Sequence, residues 1–196
     1  MSKKIAITGS IGSGKSTVSR LFEIMGIPIY NADNEAKTLL TSPEVIDKIV
    51  AITGNGIIDH SGLIIKSELA QVIFNDKEKL NSINKIIHPK VIANYLEWVE
   101  LNKNKPFTLF ESAIIFESNL ESNFDAIVDV FCPDEIAIKR ASARDGVSEE
   151  LIKKRLKNQM NSEIKRDKAD FVVYNNGKQS VIEQVFSIKS QIEQKC

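Results

Sequence analysis

The stretch Gly9-Ser10-Ile11-Gly12-Ser13-Gly14-Lys15-Ser16-Thr17 stands behind the apolar run Ile5-Ala6-Ile7 and ahead of a helix-like pattern from Val18 to Met25. A strand that ends in a glycine-rich turn and restarts as a helix restricts the chain to folds in which a loop wraps an anion at a helix N-terminus. Gly9-x-x-x-x-Gly14-Lys15-Ser16 fits the Walker A pattern at every fixed position. The glycines let backbone N–H groups turn inward. Gly12, Ser13, Gly14, Lys15, Ser16 and Thr17 are therefore the expected contacts of a nucleotide's phosphates, with Lys15 on the β and γ phosphates. The Ser16 hydroxyl is the expected Mg²⁺ ligand, and the helix starting near Lys15 adds its positive dipole end.

Four further apolar runs are too short for helices and rich in β-branched and aromatic residues: Ile27–Tyr30, Phe107–Phe110, Ala126–Phe131 and Phe171–Tyr174. With Ile5–Thr8 they read as five buried strands separated by helical patterns, which predicts an α/β fold with a mainly parallel sheet flanked by helices. Ligands of such sheets gather outside the carboxyl ends of the strands. Those ends hold Gly9 onward, Asn31-Ala32-Asp33, Glu111-Ser112, Cys132-Pro133-Asp134 and Asn175-Asn176-Gly177.

Two stretches look inserted. Residues 34–105 show helices without a convincing strand, marked by the Ser42-Pro43 start signal, the Thr53-Gly54-Asn55-Gly56 turn and a long pattern from about Asp76 to Leu101. That is room for a substrate-binding helical subdomain. Lys139 to Lys168 carries ten Lys or Arg against five Asp or Glu and reads as a charged, lid-like segment whose charges mostly face solvent. The expected division is one domain over 1–196, with its core at about 1–33, 106–144 and 169–196, the insertion at about 34–105 and the lid at about 145–168.

Lys plus Arg and Asp plus Glu are both 26, so no global charge argues for a nucleic-acid or membrane partner. The two cysteines, Cys132 and Cys196, lack metal-ligand spacing and suit a reducing compartment. Neither a signal-peptide pattern nor an apolar run of about 20 residues is present, which predicts a soluble, cytoplasmic protein. No feature of the sequence sets an oligomeric state.

Asp33 lies just past the second strand. If the strand ends lie side by side, its carboxylate can face the phosphate loop across an acceptor and orient an attacking hydroxyl; alternatively it caps the helix beginning at Asn34 or Glu35. Orientation is the larger contribution, since positioning supplies roughly 7 to 11 kcal/mol of a barrier and an aspartate is a weak base towards an alcohol. Glu111 ends the third apolar run like a Walker B acid, able to hold a Mg²⁺ water, to touch the acceptor, or simply to sit solvated at the strand end. Arg140 and Arg144 share one helix face and suit the charge of a transferring phosphoryl group, unless Asp145 and Glu149 pair them off. Asn175-Asn176-Gly177 predicts a turn whose backbone can reach a nucleotide base. His88-Pro89 predicts a kink or break in the long helical pattern, with His88 read as structural ahead of an acceptor ligand.

The chain offers neither Asn-Lys-x-Asp nor a suitably placed Asp-x-x-Gly, so a regulatory GTPase is disfavoured and a small-molecule kinase leads. The residues then resemble the dephospho-CoA kinase family over almost the whole chain. The resemblance rests on Ile7 to Thr17, Asn31-Ala32-Asp33, Asp59 to Leu63 with Val72-Ile73-Phe74, and Ile87-His88-Pro89. It continues through Ile114-Ile115-Phe116-Glu117, Lys139-Arg140 with Arg144-Asp145, Asn158-Gln159, and Ala169-Asp170 to Asn175-Asn176-Gly177. It implies a P-loop kinase core with a helical CoA-binding insertion and a lid, ATP and Mg²⁺ as cofactors, and phosphorylation of the ribose 3′-hydroxyl of 3′-dephospho-CoA to CoA. It also implies Asp33 as the acid at that hydroxyl, Arg140 and Arg144 as transition-state arginines, and His88 and Phe116 as acceptor contacts, beside the acceptor contact read for Glu111 and the adenine contact read for Asn175, Asn176 and Gly177 from their positions. Departures are Ser10 for a usual Gly, Asn31 for Asp, and Glu111 where the family has Asp. Another small-metabolite kinase, or a non-enzymatic nucleotide switch, stays as the alternative.

Overall fold

The computed structural model describes residues 2–194; Cys196 lies outside them. Five strands form one parallel sheet: β1 (Lys3–Thr8), β2 (Ile29–Asn31), β3 (Phe107–Glu111), β4 (Ala126–Phe131) and β5 (Phe171–Tyr174), in the order β2-β3-β1-β4-β5. β1 sits centrally, with Lys3 opposite Phe107 on one side and Ile5 opposite Ala126 on the other. The second strand starts at Ile29, two residues later than its apolar run. Pro28 has no N–H to give to a ladder, and its carbonyl accepts from Leu109 N–H at 2.9 Å.

The alternation of the strands sorts their side chains onto two faces. Ile5, Ile7, Val128, Val130 and Val173 pack with Val18 and Phe22 of α1 (Lys15–Ile24) and with Val185, Ile188 and Ile192 of α9 (Val181–Gln194). Tyr30 stacks on Phe110 at 5.7 Å between centroids, and Phe110 meets Phe124 at 5.0 Å. Because both faces are covered, the strands read as continuous apolar runs, as a buried parallel sheet requires. An acid interrupts one such run: Asp129, in the middle of β4 and 2% exposed.

The chain forms two compact units, one comprising the residues up to Asn31 and from Val99 on, the other Ala32–Trp98. The first unit carries the sheet. After β4 it holds α6 (Asp134–Asp145), α7 (Glu149–Leu156) and α8 (Ser162–Lys168). Ser148 and Asn161 cap the last two with side-chain oxygens on backbone N–H groups, and Gly146 ends α6 in the left-handed conformation.

The second unit is helical: α2 (Ala32–Leu39), α3 (Pro43–Thr53), α4 (Lys66–Asn75) and α5 (Lys77–Leu101) as far as Trp98, with a short 3₁₀ turn at Asn55–Ile57 and one antiparallel bridge between Ile58 and Ile64. Pro43 opens α3 directly after Ser42, as the start signal predicts. Of the kink or break expected at Pro89, a break does not occur, for α5 runs through it. A proline inside a helix forfeits one hydrogen bond. Here Ile83, Ile87, Val91, Tyr95 and Val99, spaced four apart and all buried, hold the helix on either side of Pro89. Among the described residues, no helix is long and apolar enough to cross a membrane.

Candidate active site

The loop between β1 and α1 is fixed by three glycines with positive φ, at Gly9, Gly12 and Gly14. All three also lack room for a side chain, a Cβ on Gly9 meeting the Val130 carbonyl and the Ser13 hydroxyl. A Cβ on Gly12 would overlap the Ala137 carbonyl of α6, and one on Gly14 would overlap the Asn175 side-chain amide. The loop is therefore pressed between α6 and the residues after β5. Ser13 N–H donates to the Ser10 carbonyl at 3.0 Å, and the Asn175 amide donates to the Ser13 carbonyl at 2.8 Å. α1 begins at Lys15, so the N–H groups of Lys15 and Ser16 lie in its first turn, where a helix has no internal acceptors for them. Thr17 N–H, by contrast, turns back to the Gly14 carbonyl at 3.0 Å.

Lys15 and Ser16 converge on one oxygen. The Lys15 ammonium lies 2.7 Å and the Ser16 hydroxyl 2.8 Å from Glu111 Oε1, at the carboxyl end of β3. Glu111 is thus no solvated strand end: it is 4% exposed. Burial pushes its carboxyl up, but the Lys15 charge and the bonds from Lys15 and Ser16 outweigh this, and the net direction is down. The pairing arises because Ile7 lies opposite Glu111 in the ladder, which puts the start of the loop and the end of β3 side by side.

Arg140 and Arg144 both lie on α6, but their partners differ. Arg140 donates to the Asn175 carbonyl at 2.9 Å and lies 3.5 Å from the Cys132 sulfur. Arg144, exposed, pairs with Asp145 at 2.8 Å, and Arg155 reaches the other oxygen of the same carboxylate at 3.1 Å. Burial raises the Cys132 thiol's pKa, against the charge of Arg140. Asn176 makes the expected turn, its side chain accepting from Lys178 N–H at 3.0 Å, with Gly177 at φ 80°.

Phe116 is 3% exposed, in the turn after β3, with the Lys168 ammonium 5.0 Å from its ring centroid. Asp33 and His88 belong to the second unit. α2 starts at Ala32, so the exposed Asp33 lies inside its first turn and does not cap it. The chain order keeps Asp33 two residues beyond Asn31, which pairs with Glu111. His88 is half-buried, and desolvation lowers its imidazole pKa, so the ring stays neutral near pH 7.

A buried ionic cluster that the reading of the sequence missed lies on the other side of β4. Glu117 Oε1 accepts from the Lys165 ammonium at 2.7 Å and from Met160 N–H at 2.8 Å. Lys165 is fully buried, an exception in a segment whose charges mostly face solvent as expected, and it also donates to the Ala113 carbonyl at 2.7 Å. Asp129 is near enough to feel Lys165, Arg166 and Glu117. Its signal was the lone acid in the apolar run Ala126–Phe131.

Comparison with known proteins sets this geometry in a family. The dephospho-CoA kinase family profile matches residues 3–180. A dephospho-CoA kinase of Bacteroides fragilis is 36% identical over 195 residues, covering 100% of this chain and 95% of the relative. Two solved structures share the fold over 100% of the chain. A Thermus thermophilus protein gives a TM-score of 0.83 at 28% identity with 98% of it covered, and a dephospho-CoA kinase from Campylobacter jejuni gives 0.71 at 27% with 99% covered. With its phosphate loop, parallel sheet and full-length match, the chain belongs to the dephospho-CoA kinase family.

Proposed function

We propose that this chain transfers the γ-phosphoryl group of ATP to the ribose 3′-hydroxyl of 3′-dephospho-CoA, giving CoA and ADP in the last step of coenzyme A synthesis. The observation that carries the reading is the convergence of Lys15 and Ser16 on Glu111 at the N-terminus of α1, within a chain of this family. In the reaction a bond forms from the ribose 3′ oxygen to the γ phosphorus, the β–γ bridging P–O bond breaks, and the hydroxyl proton leaves. Asp33 orients that hydroxyl and takes its proton late.

Gly12 to Thr17 bind the phosphates, with Lys15 on the leaving side. Arg140 and Arg144 match the charge of the transferring group, which requires Arg144 to release Asp145. Asn175, Asn176 and Gly177 border the adenine. The Ser16 hydroxyl and the Glu111 carboxylate are adjacent oxygen donors, and such a pair fits a Mg²⁺ that keeps its other positions for phosphate and water. When bound, the ion neutralises charge on the β and γ oxygens. His88 is the acceptor contact of the second unit; Phe116, buried, and Glu111, ion-paired, need local rearrangement to touch an acceptor directly. A reducing, cytoplasmic setting belongs to the same reading, supported by the free, buried Cys132.

The test is ADP release with dephospho-CoA beside AMP, CMP, pantetheine and shikimate. Turnover of dephospho-CoA alone is expected. Turnover of another acceptor with dephospho-CoA inert would reject the reading, and nucleotide binding without acceptor-dependent ADP release would point to a switch.

A further inference from the structure

The segment between α7 and α8 is anchored to the core of its own unit at several points, and one anchor is the phosphate loop itself. Ile11 N–H donates to Gln159 Oε1 at 3.0 Å, across 148 positions of sequence. The next residue, Met160, gives its N–H to Glu117, and two residues on, the Ser162 hydroxyl donates to Asp134 at the start of α6 at 2.8 Å. Glu117 is held in turn by the fully buried Lys165. The backbone that follows Gln159 is therefore held by part-buried polar contacts, which keep its side chain within reach of the loop.

Ile11 occupies the half of the loop where the chain leaves β1. A phosphate loop binds by curling its N–H groups around the anion. Ile11 N–H is instead taken by a side chain from outside the loop, and its neighbour Gly12 is backed against the Ala137 carbonyl with no room for a Cβ. These two restraints act on consecutive residues and set the direction in which Gly12, Ser13 and Gly14 enter the curl.

We propose that Gln159 is a positioning residue for the phosphate loop, whose bond to Ile11 N–H holds the loop's first half in its anion-wrapping curvature and ties nucleotide affinity to the placement of α7 and α8. The proposal rests on the phosphate-loop reading. It assigns Gln159 no contact with a reacting atom.

The experiment compares the full-length wild type with Gln159→Met, which keeps the length of the side chain and removes the acceptor, and Gln159→Glu, which keeps the acceptor. Calorimetry gives ADP and ATP affinities, steady-state rates give kcat and both KM values, and amide hydrogen exchange of the unliganded protein reports Ile11. Gln159→Met is expected to speed Ile11 exchange and to weaken ADP and ATP binding by about fivefold to tenfold, the effect of one lost hydrogen bond, with the KM for dephospho-CoA within about twofold of wild type. Gln159→Glu is expected to restore Ile11 protection. Faster Ile11 exchange in Gln159→Met with undiminished nucleotide affinity would reduce Gln159 to an anchor of the α7–α8 segment and overturn the proposal. So would unchanged Ile11 exchange in Gln159→Met, or Ile11 left unprotected in Gln159→Glu. A wild type that binds neither nucleotide would overturn the phosphate-loop reading, and the proposal with it.

Discussion

Asp129→Asn offers a quantitative test of the electrostatics behind β4. Burial at 2% exposure pushes the Asp129 carboxyl from its ordinary 3.8 up to about 7; Lys165 and Arg166 oppose the rise, and Glu117 adds to it. A rise of that size corresponds to about 4 kcal/mol in favour of the neutral acid. The unfolded chain loses this proton near pH 4, whereas the folded protein keeps it until about pH 7. Asp129's contribution is thus fully present below pH 4 and declines by about 1.4 kcal/mol per pH unit as pH rises towards 7, with no further change above. Asparagine does not titrate, so its packing cost is a constant offset. The assay is urea unfolding of both proteins from pH 4.5 to 8, followed by far-UV circular dichroism because the single tryptophan, Trp98, lies in the other unit. Stability of the wild type relative to Asp129→Asn is expected to fall across the range, by up to about 3 kcal/mol in all. A flat difference, or one that grows in favour of the wild type with pH, would refute the reasoning.

Gly12→Ala places a Cβ against the Ala137 carbonyl at a φ of 79°, so a loss of about 1 to 3 kcal/mol of stability and of measurable ATP binding is expected, read by thermal unfolding and calorimetry. Glu111→Gln leaves the Lys15 ammonium without its carboxylate in a site where the two side chains are 12% and 5% exposed. The unliganded protein should lose about 3 kcal/mol, and saturating ATP should recover part of that loss because the phosphates also compensate Lys15; equal losses with and without ATP would contradict this. Asp33→Asn should lower kcat by roughly 10² to 10⁴-fold with ATP affinity nearly intact, and a fully active variant would remove Asp33 from the chemistry.

The strands and the phosphate loop were legible because local pattern determines them: apolar runs of four to six residues punctuated by turn residues, and glycines at fixed spacing. The partner of each charge was not. Glu111 could be placed at a strand end, but its hold on Lys15 depends on the β1–β3 register, which joins residues about a hundred positions apart. Lys165 looked like one more surface lysine among basic neighbours, since nothing near it in sequence announces Glu117, Ala113 or Asp129. Arg140 and Arg144 illustrate the same limit: i, i+4 spacing puts them on one helix, yet only tertiary structure gives one a backbone carbonyl and the other a carboxylate. At Pro89 the break that a local rule allows gives way to the packing of a 25-residue helix that continues through the proline.

The sheet order also fixes a sequence of events during synthesis. β1 precedes both of its neighbours, β3 and β4, in the chain, and the first of these is complete only at Glu111. At roughly 5 to 20 residues per second, the central strand spends several seconds without a pairing partner while Ala32–Trp98 emerges as one continuous, helical stretch. The helical unit can therefore close from its own local contacts before the sheet condenses around β1. Lys3 and Lys4 open that strand, and two adjacent charges at its start are the kind of feature that keeps an unpaired apolar segment from pairing with another chain.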